Sequence, residues 1–273
     1  MFSANQNTSL VFGAFRLMDL IYHNTVRSVR KGHRDALMAI LSNVIQTLVM
    51  VGAFYVFIDI MGMRGMAIRG DFLLYVMSGI FVFMVNIKAM AAVAGAEGPT
   101  SPMMQHLPMN TTISVWSAAL SSLYTQMIGM IFILSGYHLI WKPLVIEQPA
   151  WAMGMLVLAW FNGCAIGMVL LAIKPWLPKA TTVAQQIYSR FNMFASGKMF
   201  VANALPTYLV AFFGWNPLFH IIDQGRGFIF INYTPLKTNL TYPIVVSIIL
   251  LVIGWIGESQ TRKHVSLSWT AGR

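Results

Sequence analysis

Apolar runs separated by short polar connections dominate the chain. Windows of about 20 residues, the length an α-helix needs to cross a bilayer, fall at 36–58, 72–94, 112–137, 151–173, 184–203 and 241–257. The expectation is one all-α integral membrane domain over residues 1–273 with six transmembrane helices. Arg190 and Lys198 interrupt the fifth window, and an alternative apolar window, 199–214, overlaps its end.

Ahead of the first window, "FRLMDLIYHNTVRSVRKGHR" repeats at helical spacing. Arg16, His23, Arg27, Arg30 and Arg34 share one face, and Leu17, Met18, Ile21, Tyr22 and Val29 gather opposite. That separation predicts an N-terminal interfacial helix over 14–34, lying along the membrane surface rather than crossing it. Between the second and third windows, Pro102 suits the first turn of a short helix and Pro108 its end. A brief helix is therefore expected within 99–109.

The stretch "GWNPLFHIIDQGRGFIF" (214–230) is apolar enough for a membrane but is broken before it could cross one. Asn216-Pro217 forbids continuous helix, because the residue before proline avoids helical dihedrals and proline lacks a donor. Two pieces, roughly 205–213 and 217–230, are each too short to span. They predict a re-entrant helical hairpin over 205–230 before the last span, since irregular backbone at membrane depth must be enclosed by protein or line a cavity. His220, Asp223 and Arg226 recur every third residue on one stripe. Each charge at mid-membrane costs about 2.5–3.5 kcal/mol on insertion scales. An internal Asp223–Arg226 ion pair would reduce that cost; a substrate-binding role for the stripe is the other reading. One His and one carboxylate offer too few ligands for a metal site.

Composition fixes the class of protein. The chain is 57% hydrophobic and 10% charged, against about 25% charged residues in a typical soluble domain. The net charge of +10 does not point to nucleic acid, because the bases sit at the ends of apolar runs without interleaved stacking aromatics. They collect in the first 35 residues, at Lys174 and Lys179, and at Arg262, Lys263 and Arg273. By the positive-inside rule these segments, and so both termini, are cytoplasmic. The remaining connections balance Arg64 and Arg69 against Asp59 and Asp71, and Lys142 against Glu147. The hairpin then enters from the outer face. Cys164 stands alone inside an apolar run, so no disulfide forms within the chain. No basic region followed by an apolar run and a small-residue cleavage site opens the sequence, so no cleaved signal peptide is expected.

"SGKMFVANALPTYLVAFFGWNPLFHIIDQGRGFIF" (196–230) resembles the Ser-Gly, Leu-Pro, Asn-Pro-Leu, His, acidic, Arg succession near the end of ABC-2 type exporter permeases. The nearest branch is capsular polysaccharide or polyol-phosphate export. The layout of basic interfacial helix, six spans, short cytoplasmic helix and re-entrant pair is similar over nearly the whole chain. It departs from the family where His106-Leu107-Pro108 stands in place of a Lys followed by Phe-Pro.

The resemblance implies a multi-pass permease of the bacterial inner membrane, working as a homodimer among membrane lipids. It also implies a partner ABC ATPase in the cytoplasm that binds ATP and Mg, and periplasmic or outer-membrane export components as further partners. Met103, Met104, Gln105 and His106 would then couple the chain to the ATPase. Asn216, Pro217, His220, Asp223 and Arg226 would form a re-entrant gate. From the residues themselves, no G-x-x-x-x-G-K-[ST] phosphate loop is present, so any ATP hydrolysis belongs to a partner and no cofactor is expected on this chain. Lys88, Arg190 and Lys198 are cations inside apolar windows, where exposure to lipid is costly. They are conduit candidates, with Lys88 and Arg190 alternatively snorkelling to the cytoplasmic surface and Lys198 to the outer one. Tyr188, Phe191 and Phe194 follow at steps of three and suit sugar rings or helix packing. Asp223 and Glu258 fall on opposite sides of the membrane and make no acid–base pair. Three functions remain open: a permease for polysaccharide or lipid-linked glycan, an exporter of small drugs or lipids, and a membrane transferase using His220 and Asp223.

Overall fold

The computed structural model describes residues 18–26, 36–60, 62, 71–98 and 111–271, and the regular elements among these residues are all helices. Helix α1 covers 18–26. It is followed by α2 (Ala36–Ile60), α3 (Phe72–Ala94), α4 (Thr111–Ile140), α5 (Pro149–Ile173) and α6 (Pro178–Ala195). After a 3-10 turn at Ala202–Ala204 come α7 (Thr207–Phe213), α8 (Pro217–Ile229) and α9 (Thr241–Ala271). Helix starts follow local chemistry. Asp71 caps α3 by accepting from the N–H groups of Leu73 at 2.9 Å and Leu74 at 3.3 Å. Proline, whose missing donor costs nothing in a first turn, opens α5, α6 and α8.

Helix α3 is the centre of the bundle: 78% of its most apolar window is buried, against 22% in α9. Its closest neighbour is α5, through the small stripe Ala159, Gly163 and Gly167. A Cβ on Gly163 would strike the Asn86 carbonyl, and one on Gly167 would lie 2.8 Å from the Met90 carbonyl oxygen and 2.8 Å from Val93 Cβ. Between helices in lipid, where apolar burial gives little drive, such close approach supplies the attraction. Gly254 lets α9 pack as tightly on the far side of α5, with Met168 Cβ 2.7 Å from the position its Cβ would take.

Polar side chains add glue. Tyr188 donates to Asn86 Oδ1 at 3.1 Å, Asn86 to Asn162 Oδ1 at 3.0 Å, Asn162 to Ser247 Oγ at 2.9 Å, and Ser247 to the Pro243 carbonyl at 2.6 Å. This thread crosses α6, α3, α5 and α9. Gln126 of α4 donates to Asn43 of α2 at 2.7 Å.

Connections collect at two ends. At one, Lys142 pairs with Asp71 at 3.3 Å and the Gln148 N–H donates to the Phe228 carbonyl at 2.9 Å. At the other, Lys174 donates to the Ala94 carbonyl at 3.1 Å and Trp176 to Thr261 at 3.1 Å. Partial burial alone would raise the Asp71 carboxyl. Hydrogen bonds from the Leu74 N–H, Lys142, Tyr137 and the Leu73 N–H outweigh it and hold the group below its ordinary value.

Among the described residues five helices are long and apolar enough to cross a membrane: α2, α3, α4, α5 and α9. The window 184–203 is not one continuous helix. Helix α6 starts earlier, at Pro178, and stops at Ala195, because Gly197 turns the chain at φ +77° with the Phe219 ring packed where a Cβ would sit. The segment 205–230 forms two short helices, α7 of 7 residues and α8 of 13, on either side of Asn216. The short helix expected within 99–109 lies outside the described residues, as does most of 14–34 beyond α1.

Candidate functional site

The stripe on α8 sits in the most polar buried region of the described structure. Asn216 organises its start: Oδ1 accepts from the Leu218 N–H at 3.1 Å, while Nδ2 donates to Asn192 Oδ1 at 2.8 Å and to the Ala195 carbonyl at 3.0 Å. One side chain thus caps α8 and ties it to the end of α6. His220, one turn on, accepts at Nδ1 from the Asn239 N–H at 3.1 Å and faces the Gly214 carbonyl with Nε2 at 2.8 Å. Those partners require the neutral tautomer with the proton on Nε2.

Asp223 is 2% exposed and does not pair with Arg226. Its Oδ1 accepts from Tyr233 at 2.5 Å and from the Ala202 N–H at 3.1 Å, and its Oδ2 from Thr238 at 2.8 Å. Burial and then the neighbouring Asp223 charge push the Tyr233 phenol upward, so the ring stays protonated and donating. Arg226 turns the other way. Nη1 donates to the carbonyls of Gly197 at 2.8 Å and Phe200 at 2.7 Å, Nη2 to that of Lys198 at 2.6 Å, and the guanidinium lies 4.1 Å over the Tyr75 ring. The expected ion pair is therefore replaced by two separate cages. The carboxylate collects donors from loops on both sides of α8, and the guanidinium closes the carbonyl-rich turn after α6.

Lys198 does not reach a surface. It is 1% exposed, with Nζ 3.6 Å from the Phe83 ring centre and 4.2 Å from that of Phe54, and with no hydrogen-bond partner among the described residues. Gly79 of α3 makes the space: a Cβ there would fall 2.9 Å from Lys198 Cα and 2.8 Å from Arg226 Nη2.

The other conduit candidates are scattered. Lys88 donates to Gln46 of α2 at 2.6 Å. Tyr188 belongs to the polar thread, Phe191 packs against Trp215 with ring centres 5.5 Å apart, and Arg190 and Phe194 are exposed on α6. Met103, Met104, Gln105 and His106 lie outside the described residues. Among the described residues, no three His, Cys, Asp or Glu side chains converge as a metal site would require. Sequence reasoning missed Tyr75, Phe54, Phe83, Tyr233 and Thr238. All five are ordinary residues in apolar or loop segments, and only the fold brings them to the charges.

The structure is thus that of an all-helical protein with several membrane-length helices and a caged polar layer beside them. No protein-family model matches the chain. Among curated proteins it is distantly similar to the polysialic acid transport protein KpsM of Escherichia coli: two such sequences match at 26% and 25% identity over 117 residues. The match covers 41% of this chain and 45% of each relative, so the chain spans less than half the length of the curated relatives it matches. This distant similarity to a transport protein agrees with the exporter resemblance carried by the 196–230 stretch.

Proposed function

We propose that this chain is the transmembrane subunit of an ATP-driven exporter that moves a polysaccharide or lipid-linked glycan across the inner membrane. It acts as a homodimer, with a separate cytoplasmic subunit hydrolysing ATP. The observation that carries this reading is the similarity to a polysialic acid transport protein. The five apolar helices and the missing phosphate loop support it.

In this reading α6 is the sixth crossing, about 27 Å long at 1.5 Å per residue, and α7–α8 dip in from the outer side. The caged stripe on α8 stiffens the outer mouth, residues 101–109 dock into the ATPase, and Lys88 and Arg190 assist anionic cargo. The transferase reading is disfavoured, because both His220 nitrogens and both Asp223 oxygens are already engaged. That leaves neither free for proton transfer.

The test is co-reconstitution with the neighbouring ATPase in proteoliposomes. ATP-dependent glycan export is expected only from the complex, and Met104→Asp with His106→Asp should abolish stimulated ATP turnover. Turnover of lipid-linked glycan by the chain alone would overturn the assignment.

A further inference from the structure

A slot of about 260 Å³ lies between α4, α5 and α9, away from the caged layer. It runs along the helices. From Thr111 to Ala119 its α4 wall extends about 12 Å at 1.5 Å per residue. Its polar groups gather at one end, where Thr111, Thr112 and Glu258 meet, and the rest of the wall is apolar and aromatic, including Trp116, Trp160 and Trp255. Trp160 is fixed by donating to the Ala119 carbonyl at 2.9 Å, whereas Trp255 is 66% exposed on the open side. A polar end and an apolar shaft parallel to membrane-length helices match a single amphiphile lying as a lipid lies.

The charges at the mouth narrow the choice. Glu258 is 4% exposed, and its Oε1 takes both contacts from Arg262, at 2.9 and 3.3 Å. Its Oε2 has no partner among the described residues, although the side chain lines the slot. The Arg262 side chain is 48% exposed. The mouth therefore presents a free carboxylate oxygen inside and a guanidinium outside.

We propose that this slot is a binding site for a phosphoethanolamine phospholipid. The primary ammonium donates to Glu258 Oε2, the phosphate meets Arg262, and an acyl chain fills the space beside Cys164. A choline headgroup has no N–H to give the carboxylate, and a glycerol headgroup brings no cation. The site is independent of the cargo the chain exports.

Native mass spectrometry of the full-length purified chain, titrated with ethanolamine, choline and glycerol phospholipids of identical acyl chains, tests it. The ethanolamine lipid should be retained at about tenfold lower concentration or less, as one charge-assisted hydrogen bond implies. Glu258→Gln should erase that preference while leaving residual binding. Cys164→Phe, which fills the shaft away from the headgroup, should weaken all three lipids. Equal retention of the three by the unmodified chain would overturn the proposal, as would a preference that survives Glu258→Gln. Should Glu258→Gln fail to fold, quenching of tryptophan fluorescence in the unmodified chain by brominated ethanolamine against brominated glycerol lipid decides; equal quenching refutes it.

Discussion

Arg226 and Lys198 are cations buried to the same degree, 1% exposed each, in one corner of the bundle. Their surroundings are opposite. Arg226 satisfies three carbonyls of the turn after α6 and stacks on Tyr75. Lys198 touches two aromatic faces and donates to nothing among the described residues. A planar fork can serve several acceptors at once, whereas an ammonium is a point charge that loses its water when buried. Equal burial thus conceals a hydrogen-bonded clamp in one case and an amine held by ring faces alone in the other.

The largest effect is expected at Arg226. Arg226→Met should leave the Lys198 and Phe200 carbonyls without donors, each costing about 1–3 kcal/mol, while the Gly197 carbonyl keeps only the Phe200 N–H at 3.3 Å. The variant should unfold far earlier on heating in detergent or fail to accumulate as a monodisperse species. Arg226→Lys should recover only a small part, since the point charge cannot span the three acceptors. Full recovery would show that charge, not the fork, holds the turn.

Lys198→Met should behave differently. Two ring contacts are worth about 2 kcal/mol or less each, while the desolvation of a buried ammonium costs several. Melting should stay unchanged or rise, as replacement of a buried charge by an apolar side chain of similar volume often gives. A loss as large as that of Arg226→Met would erase the contrast between the two cations.

The smallest effect concerns Asp71, whose partner in the charge pair, Lys142, is exposed rather than caged. Its folded pKa lies below the ordinary value of 3.8. Its stabilisation is therefore complete above that value and is lost as pH falls through the folded pKa. Asp71→Asn keeps a capping oxygen but removes the charge facing Lys142. Melting curves of the variant and the parent should differ by no more than about 1 kcal/mol at neutral pH and converge below pH 3.8. Divergence on acidification would reverse the sign assigned to this carboxylate.

How far the fold could be read from sequence depended on whether the signal was local. The limits of α3 coincide with the apolar window 72–94, because its cap, Asp71, adjoins a long, predominantly hydrophobic run. The break at Asn216-Pro217 was equally readable, since both the cap and the proline act within a few residues. The window 184–203 misled because averaging hydropathy over it counts Met199, Phe200 and Val201 as a continuation, although Gly197 has already turned the chain. The cages were out of reach. Asp223 draws on Ala202, Tyr233 and Thr238, and periodicity on α8 reveals only which residues share a face, not which loops will meet it. The i, i+3 spacing made an ion pair with Arg226 look economical, but better donors and acceptors were available from distant segments.

The polar thread from Tyr188 to Pro243 also bears on how the protein is made. Helix α6 is not among the helices apolar enough to enter hydrocarbon on their own merit. Its tie to α3 is the Tyr188 hydroxyl on Asn86, a group presented by a helix synthesised some hundred residues earlier. A polar contact of this kind favours keeping α6 beside α3 over releasing it singly into lipid. Ser247, on the last helix to emerge, completes the thread by accepting from Asn162. Until then Asn162 lacks that acceptor, so the thread is complete only once α9 has joined the bundle.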